Sequence, residues 1–198
     1  MTIGAVLIAK NEGVMLDRCL KSLQGFDEIV VLDTGSTDAT CDIARKYTDK
    51  VYEGEYKWND NFAEARNYSL GKSTTDFVVS IDADEFLEEH GLVKIKALIE
   101  ARPEMGVFDV TLTDEKSGSS HFFPRLFKRS PDTYWKGCVH NYLSKLGETK
   151  TNVTIMYGSS PAHSKDPGRA FRILTKFVSE NPRCVREKFY LAREYMYQ

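Results

Sequence analysis

Up to residue 102, short apolar runs alternate with stretches whose apolar positions recur every three or four residues. Residues 3–9 form an unbroken apolar run, the pattern of a strand buried on both faces. Met15, Leu16, Cys19, Leu20 and Leu23 then share one helical face, with Asn11 placed to cap its start. A second strand is predicted over 29–32, followed by Asp33-Thr34-Gly35-Ser36-Thr37-Asp38, where the glycine suits a tight turn and the hydroxyls suit a helix cap. Cys41, Ala44 and Tyr47 give the next helix its inward face, and a brief strand is expected at 51–52. A helix over 61–70 precedes a strand over 77–81 that runs into Asp82-Ala83-Asp84-Glu85. Leu92, Ile95, Leu98 and Ile99 mark one more helix, which Arg102-Pro103 closes. Strands and helices alternating in this way build an α/β fold: a mostly parallel central sheet flanked by helices.

The pattern changes beyond residue 105. Strand-like stretches at 106–112, 121–128 and 152–157 are separated by polar loops, so this half reads as an α+β elaboration. From Gly168 the periodicity is helical again: Ala170, Phe171, Leu174, Phe177 and Val178, a break at Asn181-Pro182, then Val185, Phe189, Ala192 and Met196. The expected division is a domain over 1–167, with a first half at 1–102 and a second at 103–167, and C-terminal helices over 168–198. No glycine or proline closes the last helix, so the chain is expected to be one piece of a longer, multidomain protein.

The 198 residues carry 27 Lys and Arg against 29 Asp and Glu, a formal net charge of −2, so no global field gathers nucleic acid. Residues 163–198 alone hold eight Lys or Arg against four acids. That excess reads either as the solvated face of an amphipathic helix pair or as a patch for an anionic acceptor or a membrane surface. The four cysteines lack the close spacing of a zinc knuckle or redox dithiol. With an opening apolar run too short for a signal or a span, the expected setting is cytoplasmic, with the cytoplasmic membrane surface as an extension of it.

In an open α/β sheet, ligands bind beyond the carboxyl ends of the strands, where loops and helix N-termini converge. That rule nominates Lys10-Asn11-Glu12, Asp33 and Asp82-Ala83-Asp84. Residues two apart in an extended segment project to one side, so Asp82 and Asp84 suit a hard cation such as Mg²⁺ or Mn²⁺ that completes its shell with substrate phosphates. Asp33 reads as a helix cap or as an acceptor for a nucleobase N–H, with Asn11 and Glu12 beside it. Arg66 is either a bidentate donor to a phosphate or to an aspartate, or a solvated helix residue. Trp58 and Trp135 can stack on a sugar, although the aromatic cluster around Trp135 also reads as core. No Gly-x-Gly-x-x-Gly follows the first strand and no P-loop pattern occurs.

Taken together and in order, four segments resemble the family 2 glycosyltransferases of the GT-A, Rossmann-like fold: residues 8–12, 28–38, 58–67 and 82–85. Arg125-Leu126-Phe127 and Trp135-Lys136-Gly137-Cys138-Val139-His140 resemble the branch that holds lipopolysaccharide-core glucosyltransferases and peptide S-glycosyltransferases. The resemblance implies that Ala9, Asn11, Glu12, Asp33 and Arg66 hold the nucleotide of a nucleoside-diphosphate sugar, with UDP favoured. It implies Mn²⁺ or Mg²⁺ on Asp82 and Asp84, with His163 as a further ligand, and an inverting displacement onto an acceptor hydroxyl of a glycan, a lipid-linked saccharide or a protein. The sequence departs from that branch at His140-Asn141, where related chains commonly read His-Glu. His140 is then the substitute for the general base, with Asp114 or Glu115 as alternatives. A non-catalytic sugar-nucleotide or glycan binding module is the rival from another class, and a nucleotidyltransferase of related architecture is a second, although such an enzyme would carry a Gly-rich, Arg-containing loop after its first strand.

Overall fold

The computed structural model describes every residue except 159, 162–164 and 197–198. Among the described residues, eight strands form one sheet in the order β3-β2-β1-β4-β7-β6-β10-β5. Its first part comprises β1 (Ile3–Ala9), β2 (Glu28–Asp33), β3 (Val51–Tyr52) and β4 (Phe77–Ser80), all parallel neighbours. β5 (Glu85–Leu87) follows at once, and β6 (Val107–Asp114), β7 (Ser120–Lys128) and β10 (Thr149–Tyr157) complete the sheet. Only β7 and β5 run against the other strands. The helices are α1 (Leu16–Ser22), α2 (Thr40–Ala44), α3 (Phe62–Lys72), α4 (Gly91–Ala101), α5 (Arg169–Glu180) and α6 (Val185–Met196). A small second sheet pairs β8 (Trp135–Lys136) with β9 (Tyr142–Leu143).

The apolar run of β1 is explained by burial on both faces. Ile3, Ala5, Leu7 and Ala9 alternate to one side, where Leu16 and Leu20 of α1 and Ile95 and Ile99 of α4 complete the larger core. Val6 points the other way, into a second cluster with Val30, Val78, Ala63 of α3 and Trp135. A third cluster joins Cys138 and Val139 to Ile173 and Leu174 of α5, with Trp58, Phe62 and Tyr190 against it. The residues on either side of position 167 therefore share an apolar core. No described helix is long and apolar enough to cross a membrane.

Three local expectations are corrected. Asn11 does not cap α1, whose N-cap is Met15 without a side-chain bond; instead, Asn11 Oδ1 accepts the Thr37 N–H at 2.8 Å. The start of α2 is served by Asp38, whose Oδ1 accepts the Thr40 N–H at 3.0 Å, rather than by a hydroxyl. The third concerns residues 82–85, which do not extend β4: the Glu85 N–H bonds Asp82 O at 3.0 Å and closes a turn that sends the chain back as β5. Asn61 caps α3 by accepting the Glu64 N–H at 3.2 Å.

Leu174 is fully buried in the cluster that docks α5. Leu174→Ala is expected to lower stability by about 2–5 kcal/mol, measured by urea unfolding, because few other buried side chains tie α5 to the Cys138-Val139 loop and the start of α3.

Candidate active site

The carboxyl ends of β1 and β4, the start of α3, the loop after β8 and the approach to α5 enclose one cavity of about 610 Å³. Its wall includes Ala9, Asn11, Glu12, Thr34, Arg66, Asp82, Asp84, Trp135 and His140. Most of the expected substrate residues therefore meet in one hollow. Asp33 does not line it: Gly35 takes φ +106°, and the turn brings the Gly35 and Ser36 N–H groups back onto the Asp33 carboxylate at 3.0 and 3.1 Å. Asp33 thus braces its own loop, while the next residue, Thr34, faces the cavity. His163 lies outside the described residues. Asp114 and Glu115 are not on the cavity wall; Asp114 accepts the N–H groups of its own turn and Glu115 pairs with Arg18 at 2.7 Å.

The floor is built by a β-bulge. Phe108 pairs with Leu126 and Asp109 with Pro124, so Arg125 is the extra residue in β7. A bulge re-aims a side chain, and Pro124, which has no N–H to give, suits such a position. The Arg125 guanidinium is turned beneath the cavity, where Nη2 bonds Asp82 Oδ2 at 2.9 Å and Glu85 Oε1 at 2.7 Å. Glu85 Oε2 also accepts the Asp82 N–H at 2.7 Å. From the opposite side Arg66 Nη2 bonds Asp82 Oδ1 at 2.6 Å, and its Nε bonds Asn141 Oδ1 at 3.1 Å.

Each oxygen of Asp82 is therefore bonded to a guanidinium. Burial opposes ionisation of Asp82, yet the charges of Arg66 and Arg125 outweigh it and hold the carboxyl well below 3.8. Glu85 moves the other way, above its ordinary 4.5, because it is buried and sits beside two aspartates. Asp84 lines the same cavity through the geometry of the turn rather than through strand alternation.

Other elements lock the walls. Asn67 clasps the backbone of Trp135 from both sides, accepting its N–H at 2.8 Å and donating to its carbonyl at 2.9 Å. Trp135 is buried and stacks on Phe123, with Arg66 near its ring. Glu12 accepts the Ser160 hydroxyl at 2.5 Å, which ties the β1 loop to the segment before α5. Sequence reasoning nominated the loop of Lys10 but missed Arg125, Asp60, Lys165, Arg169 and Arg172 as cavity residues. A lone arginine beside a proline in an otherwise apolar strand was the available signal for Arg125. For the basic group, the excess of positive charge was visible but its direction was not.

Removing Arg125 leaves the buried Glu85 carboxyl and the half-buried Asp82 carboxyl without their shared partner. Arg125→Met is expected to cost about 3–5 kcal/mol in chemical unfolding. Because the folded state holds Asp82 below its ordinary value, that stabilisation is complete above the usual carboxylate range and is lost as pH falls between about 5 and 1. Asp82→Asn should lack this acid-side component when unfolding is followed against pH.

The comparisons with known proteins agree with this geometry. Residues 5–169 match the family model Glycosyl transferase family 2. A TPR repeat-containing protein of Synechococcus elongatus is 31% identical over 141 residues, which cover 70% of this chain and 34% of the relative. The lipopolysaccharide core biosynthesis glycosyltransferase LpsC of Rhizobium meliloti is 31% identical over 155 residues, covering 77% of this chain and 47% of its own. The chain thus spans between a third and a half of the length of these relatives. S. aureus TarS in complex with UDP-GlcNAc has the same fold, with a TM-score of 0.63, 16% identity, and coverage of 98% of this chain and 71% of that one. A mostly parallel sheet flanked by helices is the fold shared with that match, and the chain belongs to glycosyl transferase family 2.

Proposed function

We propose that this chain transfers a sugar from a nucleoside-diphosphate sugar, with UDP as the favoured nucleotide, to an acceptor hydroxyl with inversion at the anomeric carbon. The single observation that carries the reading is the shared cavity, which joins the β1 and β4 ends to Trp135 and His140. Its volume of about 610 Å³ falls within the range of small-molecule sites. Family membership and a likeness of fold to a protein solved with UDP-GlcNAc support the same donor class.

Ala9, Asn11, Glu12 and Thr34 form the nucleotide end in this reading, with Asp33 bracing the loop that carries Thr34. Lys10, Lys165 and Arg169 bring positive charge to the cavity wall, suited to a diphosphate. Arg66 and Trp135 border the sugar end.

Among the described residues no group of three metal-ligating side chains occurs. The donor chemistry still fits a hard cation that takes one carboxylate and completes its shell with water and phosphate oxygens. Asp84 would hold that Mn²⁺ or Mg²⁺, His163 being a candidate outside the described residues. Asp82, committed to two guanidinium groups, serves as a positioning residue in the floor of the cavity. When bound, the cation supplies positive charge against the charge that develops on the departing diphosphate.

His140 is assigned as the base. It takes the proton of the acceptor hydroxyl as the acceptor oxygen bonds the anomeric carbon, while the bond from that carbon to the phosphate oxygen breaks and its electron pair leaves with the nucleoside diphosphate. Holding both partners in line within a walled site accounts for much of the acceleration. The acceptor, whether glycan, lipid-linked saccharide or protein, enters from the side of His140.

The test is release of UDP from UDP-GlcNAc and UDP-glucose with and without Mn²⁺. Asp84→Ala is expected to reduce Mn²⁺-dependent release by at least about 10²-fold with an unchanged circular dichroism spectrum. Undiminished release would overturn the assignment. Binding without any release, seen as a gain of about 2.7 kcal/mol in stability at a hundred times the dissociation constant, would instead mark a non-catalytic module.

A further inference from the structure

On the side of the cavity away from the nucleotide end, the loop that carries His140 is backed by α6. Arg186, Tyr190 and Glu194 are spaced four residues apart and so share one stripe of that helix. All three meet His140. Arg186 Nη2 donates to the His140 carbonyl at 2.6 Å, the Tyr190 ring stacks on the imidazole with centroids 4.4 Å apart at 27°, and Glu194 Oε1 lies 3.6 Å from Nε2. His140 also has φ +51°, a left-handed conformation uncommon outside glycine. The backbone, the ring face and one ring nitrogen of a single cavity residue are thus addressed in order by successive turns of the same helix.

We propose that Glu194 is a positioning residue for the transfer reaction: its carboxylate, 3.6 Å from Nε2, keeps the proton of neutral His140 on Nε2 and so leaves Nδ1 with the lone pair that takes the acceptor proton. The inference rests on the reading of His140 as the base. Its physical content is the standard one for an imidazole with a carboxylate partner, which fixes the tautomer and ring orientation and stabilises the cation formed as the proton arrives. Tyr190 restricts rotation of the ring, and Arg186 anchors the backbone that presents it. The C-terminal helix is then part of the catalytic apparatus and not only an appendage to the sheet.

The charges facing the ring are mixed. Burial lowers the basicity of His140, Glu194 raises it, and Arg193 and Arg186 of the same helix lower it. Across the cavity stand Asp60, Arg66 and Asp84. Loss of the Glu194 charge alone should therefore move the His140 titration to lower pH.

The experiment follows His140 by heteronuclear NMR, assigned by the resonance lost in His140→Gln, through a pH titration of this chain and of Glu194→Gln. The same proteins are assayed for UDP release from UDP-GlcNAc with Mn²⁺ across pH. The expected result is a lower His140 pKa in Glu194→Gln, an acidic limb of kcat displaced to lower pH in parallel, and a fall in kcat of about tenfold with KM little changed. Glu194→Asp should restore part of both shifts. Identical His140 titrations and pH limbs in the two proteins would overturn the role of Glu194 while leaving His140 as the base. Full turnover by His140→Gln would overturn the base assignment itself, and the positioning role with it, whatever the titration shows.

Discussion

The arrangement of the cavity depends on one buried guanidinium. Arg125 lies under the end of β4 with its side chain 7% exposed, bonded to Asp82 and Glu85. A charge taken so far out of water is tolerated only when it is paired and hydrogen-bonded. Asp82 and Glu85 meet that requirement because the turn at 82–85 places both on the same guanidinium, and Glu85 secures the turn through the Asp82 N–H. The turn, the bulge in β7 and the ion pairs thus stand or fall together. Their consequence reaches the cavity: with both oxygens held, Asp82 fixes Arg66 on one side of the floor, and Asp84, two residues on, is carried to the wall.

The final helices bear on the same space. Arg169 in the first turn of α5 lines the cavity, and its guanidinium lies 5.0 Å from the centre of the Phe62 ring at the start of α3. The first turn of α5 holds no acid, although acids are favoured at a helix N-terminus by the peptide dipole. Basic residues set there against local preference are more readily explained by what they face than by helix stability. Cys138, Val139, Ile173 and Leu174 supply the apolar contact that keeps α5 in place, so packing and charge act through one short segment of sequence.

The sheet was legible because its signal is strong: β1, β2 and β4 are apolar runs buried on both faces, and α3 announces itself through Asn61. The gathering of β1 and β4 ends followed from topology alone. The two-residue β3 was legible at Val51-Tyr52, but β5, β8 and β9, similarly short, were not, since two or three residues are too few to set a periodicity. Nor could sequence show where side chains turn once a loop folds back. Asp33 had two readings, as a helix cap and as a nucleobase acceptor, whereas the turn at Gly35 folds the Gly35 and Ser36 N–H groups back onto its carboxylate. Asp82 and Asp84 were treated as an alternating pair, whereas the chain reverses between β4 and β5. The stripe formed by Arg186, Tyr190 and Glu194 is visible as a spacing, but a spacing does not say which loop the stripe will meet.

Position 141 shows how one amide can redistribute these roles. The related chains that the sequence resembles commonly carry an acid after the histidine; here Asn141 Oδ1 still accepts from Arg66 Nε at 3.1 Å. This amide oxygen accepts the hydrogen bond without carrying a formal charge. Arg66 pairs with Asp82, which it shares with Arg125, and the amide at 141 adds no negative charge beside it. An amide also has no useful proton affinity near neutral pH, so acid–base chemistry cannot be carried at 141. His140 is the adjacent residue with a titratable atom on the cavity wall, and α6 addresses its backbone, its ring and its Nε2. The substitution that removes one candidate base therefore coincides with a helix that holds the neighbouring one in place.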